Sequence, residues 1–163
     1  MGIELFRIDD RLIHGQVVVG WGQSMGIGFI ALVDDEVAAS EWEQELYRMG
    51  VPPEMDVYFK TVEEAASTMS NWSADERPGI LLTGDIDTMH RLIELAPAVR
   101  SVNLGGIHYR AGRELRLRYV YLTSEEESAL RTLQQRGVMV TAQDVPSARP
   151  VPLDDLLTTE SAK

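Results

Sequence analysis

The chain contains no cysteine. That absence removes disulfides, thiolate zinc sites, iron–sulfur clusters and a cysteine nucleophile from consideration, and it suits a reducing compartment. Basic residues are scarce. Lys and Arg total 15 against 26 Asp and Glu, a formal net charge of −11. A phosphate backbone or an anionic bilayer would repel such a chain, so neither nucleic acid nor a membrane surface is an expected partner. Long apolar runs are missing as well. The longest, Ile27–Val33 and Gly79–Leu82, fall far short of the ~18 residues of a membrane span. Residues 1–20 carry Glu4, Arg7, Asp9, Asp10, Arg11 and His14 where a signal peptide needs an uninterrupted apolar core. The chain reads as soluble and cytoplasmic, with no inserted segment. Its 163 residues, 44% hydrophobic and 25% charged, predict a single domain over 1–163 that buries a full core unaided.

Short apolar runs alternate with longer amphipathic ones. Strands are predicted at Ile3–Ile8, Phe29–Val33, Asp56–Lys60, Gly79–Thr83, Arg100–Leu104 and Val138–Gln143, with Leu115–Leu122 alternating less cleanly. Helices are predicted at Arg11–Met25, Ser40–Met49, Thr61–Met69, Asp85–Leu95 and Ser124–Arg136, with a terminal turn at Leu153–Leu157. Capping boxes are expected at Ser40/Glu43, Thr61/Glu64 and Ser124/Glu127, because a hydroxyl followed three residues later by Glu satisfies two orphan N–H groups. Gly137 stands where a helix C-cap belongs. Gly20-x-Gly22 and Gly26-x-Gly28 lack the third glycine of a dinucleotide fingerprint and read as turns between helix and strand; no Walker A or G-x-S-x-G pattern exists. The alternation predicts an α/β fold: a mostly parallel, doubly wound sheet with helices on both faces. Ligands of such folds lie beyond the carboxyl ends of the strands.

The densest cluster of reactive side chains follows the first strand: Asp9, Asp10, Arg11, His14, Gly15 and Gln16. Histidine serves as nucleophile or base near neutral pH. Arg11 offers a planar fork of donors suited to phosphate, Gly15 lets backbone approach a ligand, and a carboxylate can fix which imidazole nitrogen reacts. A polar loop in which Asp9 or Asp10 merely caps the next helix accounts for the same residues. So does a divalent-metal phosphoesterase built on Asp9, Asp10 and His14, or a small-molecule module without chemistry. His90 lies in a predicted helix and His108 follows Gly105-Gly106, either at the edge of the site or in a solvated loop; three histidines at this spacing form no zinc motif. Arg100, Arg110, Arg113, Arg116 and Arg118 form a basic stretch on an acidic chain, a solvated face or a lure for an acidic partner.

Arg7-Ile-Asp-Asp-Arg-Leu-Ile-His14-Gly-Gln-Val17 resembles the phosphorylation loop of the IIB components of the mannose/fructose/sorbose class of the bacterial phosphotransferase system. The likeness continues through Val33-Asp34-Asp35-Glu36-Val37-Ala38, Val51-Pro52-Pro53, Ser101-Val102-Asn103-Leu104-Gly105-Gly106, Arg136-Gly137-Val138 and Val151–Leu157. It departs at Thr83-Gly84-Asp85, where the family favours a small hydroxyl or amide followed by proline, and after Trp21, where a basic residue is absent.

The resemblance implies that His14 accepts a phosphoryl group on Nδ1 from a IIA phosphohistidine and passes it to a sugar held by a membrane IIC/IID permease. It implies that Arg11 neutralises the group in transit and that Asp9 orients the loop or contacts the incoming partner. Asp10 would cap or brace the loop at the edge of the phosphate site. Gly15, Gln16, Thr83, Gly84, Asn103, Gly105 and Gly106 would frame it. No metal and no other cofactor is implied. A homodimer is compatible with the residues but not demanded by them. An orphan regulatory IIB, whose phosphorylation state another protein reads, is the alternative.

Overall fold

The computed structural model describes residues 2–158; Met1 and residues 159–163 lie outside it. Seven strands form one sheet. In chain order they are β1 (Gly2–Ile8), β2 (Phe29–Val33), β3 (Asp56–Lys60), β4 (Pro78–Thr83), β5 (Ser101–Leu104), β8 (Met139–Ala142) and β9 (Val151–Pro152). Across the sheet the order is β3-β2-β4-β1-β5-β8-β9. Every neighbouring pair is parallel except β8–β9. The segment expected as a single strand at Leu115–Leu122 is instead a separate antiparallel hairpin, β6 (Glu114–Leu117) and β7 (Val120–Leu122). Its imperfect alternation comes from the turn at Arg118-Tyr119.

Two apolar cores follow from the strand pleat, which sends alternate residues to opposite faces. Ile30, Leu32, Ile80 and Leu82 point to one face, with Val17, Val18, Trp21 and Val37 packed over them. Ala31, Val33, Leu81 and Ile8 point to the other, beneath Ala65, Met89, Leu92 and Leu130. Both faces are covered, which is why the central strands read as unbroken apolar runs. Each fully buried Val, Leu, Ile or Met side chain among them contributes roughly 1.5–3 kcal/mol.

The first face carries a π-helix (Gln16–Gln23), α1 (Asp35–Ala38) and α2 (Glu41–Met49). The second carries α3 (Val62–Ser73), α4 (Ile86–Leu95), α5 (Ser124–Gln135) and α6 (Leu153–Thr158). Thr61 caps α3 in the expected box with Glu64. Ser40 accepts from the Glu43 N–H as the N-cap of α2. At α5 the box sits one residue earlier than expected: Thr123 and Glu126 form it, not Ser124 and Glu127. Thr123 keeps extended backbone and so remains outside the helix. Gly137 follows α5 with φ 91°, a left-handed conformation that suits glycine.

Two expectations fail near the first strand. Gly20 and Gly22 lie inside the π-helix, and only Gly26, with φ 65°, forms the turn. The helix expected from Arg11 begins only around Gly15. Residues 10–14 cannot continue a helix because Leu12 sits at φ 61° and donates its N–H back to the Asp9 carbonyl at 2.9 Å. The result is a compact loop in place of the first turns.

Strand connectivity fixes where that loop opens. β1 sends the chain to the π-helix on one face. Its two neighbours, β4 and β5, send theirs to α4 and to the β6–β7 hairpin and α5 on the other. A crevice therefore opens at the carboxyl end of β1, as expected at a change of winding direction.

Candidate functional site

Asp9 is the hub of the crevice. Its side chain is fully buried. One carboxylate oxygen, Oδ1, accepts from the Arg11 backbone N–H at 3.2 Å and from Arg11 Nε at 3.4 Å. The other, Oδ2, faces Arg7 Nη2 at 3.3 Å and His14 Nε2 at 3.3 Å. The His14 contact is at ion-pair distance but misses hydrogen-bond alignment. Burial alone would raise the Asp9 pKa. The close approach of His14, the Arg7 charge and the Arg11 N–H outweigh it and hold the group at about 2.

The other ring nitrogen of His14, Nδ1, accepts from the Gln16 backbone N–H at 3.3 Å. A backbone amide can only donate, so Nδ1 carries the lone pair and Nε2 the proton, turned towards Asp9. The ring is 17% exposed, more enclosed than a solvated loop histidine. Nδ1 thus sits beside the start of the π-helix, where first-turn N–H groups lack intrahelical acceptors and favour anions. Arg11 spans the same side. Its Nη2 donates to Gln16 Oε1 at 2.5 Å, and its side chain is 42% exposed.

Arg7 lies beneath this loop and is fully buried. It donates to Asn103 Oδ1 and to the carbonyls of Gln143 and Asp144 at 2.8 and 3.1 Å, and its guanidinium stacks 4.8 Å from the Trp21 ring. Burial lowers its pKa; Asp9 works in the opposite direction. The Asp144 carbonyl also accepts from Trp21 Nε1 and Gln16 Nε2. The loop after β8 is thereby tied to the histidine loop. Sequence pattern alone does not mark Arg7, Trp21 and Asp144 as site residues. A charged residue inside an apolar strand and an acidic residue just after a strand are the sequence signals that could have found Arg7 and Asp144.

The residues expected to frame a phosphate divide into three groups. Gly15 and Gln16 stand at the helix start beside Nδ1, and Gly106 lies against Arg11: a Cβ there would be 3.6 Å from Arg11 Nε. Asn103 and Gly105 lie underneath, and they act through Arg7 and Asp9. A Cβ on Gly105 would come within 2.6 Å of Arg7 Cζ and 2.7 Å of Asp9 Oδ2.

Thr83, Gly84 and Asp10 are engaged with other partners. Thr83 is fully buried, with its hydroxyl donating to the Asp85 carbonyl. Gly84 packs against Leu12: a Cβ there would stand 2.9 Å from Leu12 Cδ2. Asp10 turns away from the cluster and accepts from the His108 backbone N–H at 2.7 Å, with His108 Nδ1 also 2.7 Å away. Its negative charge is committed to holding the loop after β5. Across Leu12 lies a polar cleft of about 440 Å3 bordered by Asp10, Asp34, Asp35, Gly84, Asp85 and Arg110.

The basic stretch divides: two of its five arginines are structural, and Arg100, Arg110 and Arg118 are exposed. Arg113 is buried in a bidentate pair with Glu126 at 3.1 and 2.8 Å, and Arg116 is buried against Glu127. Arg110 and Arg118 remain on the surface, and Arg118 lies 3.6 Å from Asp144. Among the described residues no three His, Asp or Glu side chains group as a metal site would require, and no helix is long and apolar enough to cross a membrane.

Fold and site together define a doubly wound α/β protein with an oriented histidine loop at the carboxyl end of its first strand. The family model of the PTS system sorbose subfamily IIB component matches residues 3–163, and the chain belongs to that family. Members receive a phosphoryl group from a IIA component and pass it to sugar. The N-acetylgalactosamine-specific phosphotransferase enzyme IIB component 1 of Escherichia coli K12 is 34% identical over 147 residues, covering 88% of this chain and 91% of that protein. The PTS system mannose-specific EIIAB component of the same strain is 32% identical over 158 residues. These cover 96% of this chain and 49% of that longer, two-part protein. The crystal structure of the IIBSor domain of the sorbose permease from Klebsiella pneumoniae superposes with a TM-score of 0.87 at 29% identity, covering 98% of each chain.

Proposed function

We propose that this chain, as one phosphocarrier domain, takes a phosphoryl group on His14 Nδ1 from a IIA phosphohistidine. It then delivers the group to a sugar bound by a membrane IIC/IID partner, working at the cytoplasmic face. The observation that carries this reading is the orientation of His14: Nδ1 accepts an amide hydrogen at the head of the π-helix while Nε2 faces a buried, ionised Asp9.

The chemistry is one of positioning and charge. The N–P bond in the donor breaks as Nδ1 attacks in line, and the phosphorylated ring gains positive character. Asp9 stabilises that charge and holds the tautomer, much as a buried carboxylate does for a catalytic imidazole. Arg11 swings from Gln16 to the equatorial oxygens, and the loop N–H groups take the others. Arg7 keeps Asp9 in place from below. The relatives named for N-acetylgalactosamine and for mannose make hexoses and hexosamines the sugar class to test.

The test is incubation with phosphoenolpyruvate, the general proteins of the system and a IIA protein, with the site mapped under alkaline handling. An acid-labile, alkali-stable phosphate on His14 is expected, and none in His14→Ala, whose fold is retained. Incorporation at another residue, or undiminished incorporation in His14→Ala, would overturn the reading.

A further inference from the structure

The carrier reading leaves one proton without a destination. Transfer from one histidine to another moves no proton, but a sugar hydroxyl that attacks phospho-His14 must lose its own. None of the groups around Nδ1 is free to take it. Asp9 is buried and ion-paired, Arg11 is a cation, and the Gln16 N–H is a donor.

His108 has the right form. It is 60% exposed, and its Nδ1 lies 2.7 Å from Asp10 Oδ1. A carboxylate only accepts, so Nδ1 holds the proton and Nε2 the lone pair. Among the described residues Nε2 has no hydrogen-bond partner. The loop is fixed as well as the ring: the His108 N–H donates to Asp10 Oδ2 at 2.7 Å, and the His108 carbonyl accepts from buried Arg113 at 2.8 Å. The ring borders the site. A Cβ on Gly106 would stand 3.3 Å from His108 Cε1, 3.6 Å from Arg11 Nε and 3.4 Å from Asp9 Oδ1. Arg11 runs from this point to Gln16, beside His14 Nδ1. An acceptor hydroxyl approaching the phosphoryl group over Arg11 therefore meets His108.

We propose that His108, oriented by Asp10, is the general base for the sugar half-reaction, an inference that rests on His14 as the carrier. In that step the P–N bond of phospho-His14 breaks and its electron pair returns to Nδ1. The sugar oxygen forms the P–O bond, and its proton passes to His108 Nε2. The resulting imidazolium is held by Asp10 and gives its proton to solvent. An oriented base of this kind contributes about 10²-fold.

The experiment separates the two half-reactions. Phosphoprotein loaded through IIA is mixed with inverted membrane vesicles bearing the chain's own IIC and IID partners. N-acetylgalactosamine, mannose and sorbose serve as acceptors, and sugar phosphate is followed in single turnover at saturating sugar. With His108→Gln, loading by IIA is expected within about twofold of wild type and sugar phosphate formation about 10²-fold slower. In His108→Gly, added imidazole should restore much of the second rate without changing the first. Delivery by His108→Gln at the wild-type rate would overturn the proposal. So would equal slowing of both half-reactions, which would make His108 a structural residue. Failure of the wild-type protein to load at His14 or to form any sugar phosphate would overturn the carrier reading itself.

Discussion

Replacing Asp9 by Asn removes one charge from the centre of the site while keeping its shape. The folded-state pKa of Asp9 is about 2, against ~3.9 for an unperturbed carboxyl. A depressed pKa stabilises the fold at every pH above the unfolded value, and that stability is lost as pH falls through 3.9 towards 2. The difference corresponds to roughly 2.5 kcal/mol at pH 7. Asp9 is fully buried, so solvent screening does not erode this figure. The variant also leaves the Arg7 guanidinium, buried beside Trp21, without its carboxylate. These losses describe one interaction seen from two partners and do not add. Asn can still accept from Arg7 and Arg11, so the expected total is about 3 kcal/mol, at the low end for breaking a buried pair. With a urea m-value of ~2 kcal/mol/M, the midpoint at pH 7 should fall by about 1.5 M. Urea titrations from pH 2 to 7 give the sharper check. Near pH 3 the wild-type stability should rise about 1 kcal/mol per pH unit more steeply than that of the variant, and the gap should close towards pH 2. A midpoint change below about 0.3 M with parallel pH profiles would refute the view that Asp9 is the ionised hub.

Arg11→Ala should slow phosphoryl acceptance from IIA by about 10²-fold. It should leave urea stability within about 0.5 kcal/mol, because its pairing with Asp9 is made by a half-exposed side chain; unchanged transfer kinetics would show that the guanidinium does not meet the phosphoryl group. Gly105→Ala drives a methyl group into Arg7 and Asp9 and should cost about 3 kcal/mol in chemical denaturation. A loss below 1 kcal/mol would mean that the buried pair shifts freely. Thr123→Ala removes the hydroxyl that accepts from the Glu126 N–H in the α5 capping box, leaving the backbone N–H of residue 123 on the Glu126 carboxylate, and should lower stability by about 1 kcal/mol in thermal melts, with no effect on transfer.

The layered fold was legible because hydrophobic periodicity encodes it directly. Phe29–Val33 and Asp56–Lys60 have the bounds expected from the sequence. Strand order was not legible, since β4 inserts between β1 and β2 through contacts that join Leu5 to Ile80 and Ile30 to Ile80. The histidine loop was legible as a cluster, but its extent was hidden by helical spacing that continues back to Arg11. The Arg11 N–H bond to the Asp9 carboxylate and the left-handed Leu12, whose own N–H donates to the Asp9 carbonyl, stop the helix short. The basic stretch divides between surface and interior for a related reason: Arg113 and Arg116 meet Glu126 and Glu127 only after the hairpin folds onto α5. Charge in sequence says little about charge on the surface when long-range partners are close by in space.

The different roles of Asp9 and Asp10 follow from the pleat of β1. Side chains two apart share a face. Leu5 packs in the core beneath the π-helix, and Arg7 stacks on Trp21 of that helix. Asp9 continues the same alternation past the strand end, and so meets Arg7 below and His14 above. Phe6 and Ile8 face the opposite core. Asp10 falls on that side and finds His108, whose neighbour Ile107 is buried there. One strand therefore places a carboxylate on each side of the crevice. The inward one is surrounded by cations and the imidazole that a phosphoryl group would charge. The outward one is left to orient a second, solvent-facing imidazole. A one-residue insertion between Ile8 and Asp9 would exchange these faces. It should abolish loading of His14 even though every side chain of the motif is still present, and phosphate incorporation by such a variant at more than a trace would show that the pleat does not assign the roles.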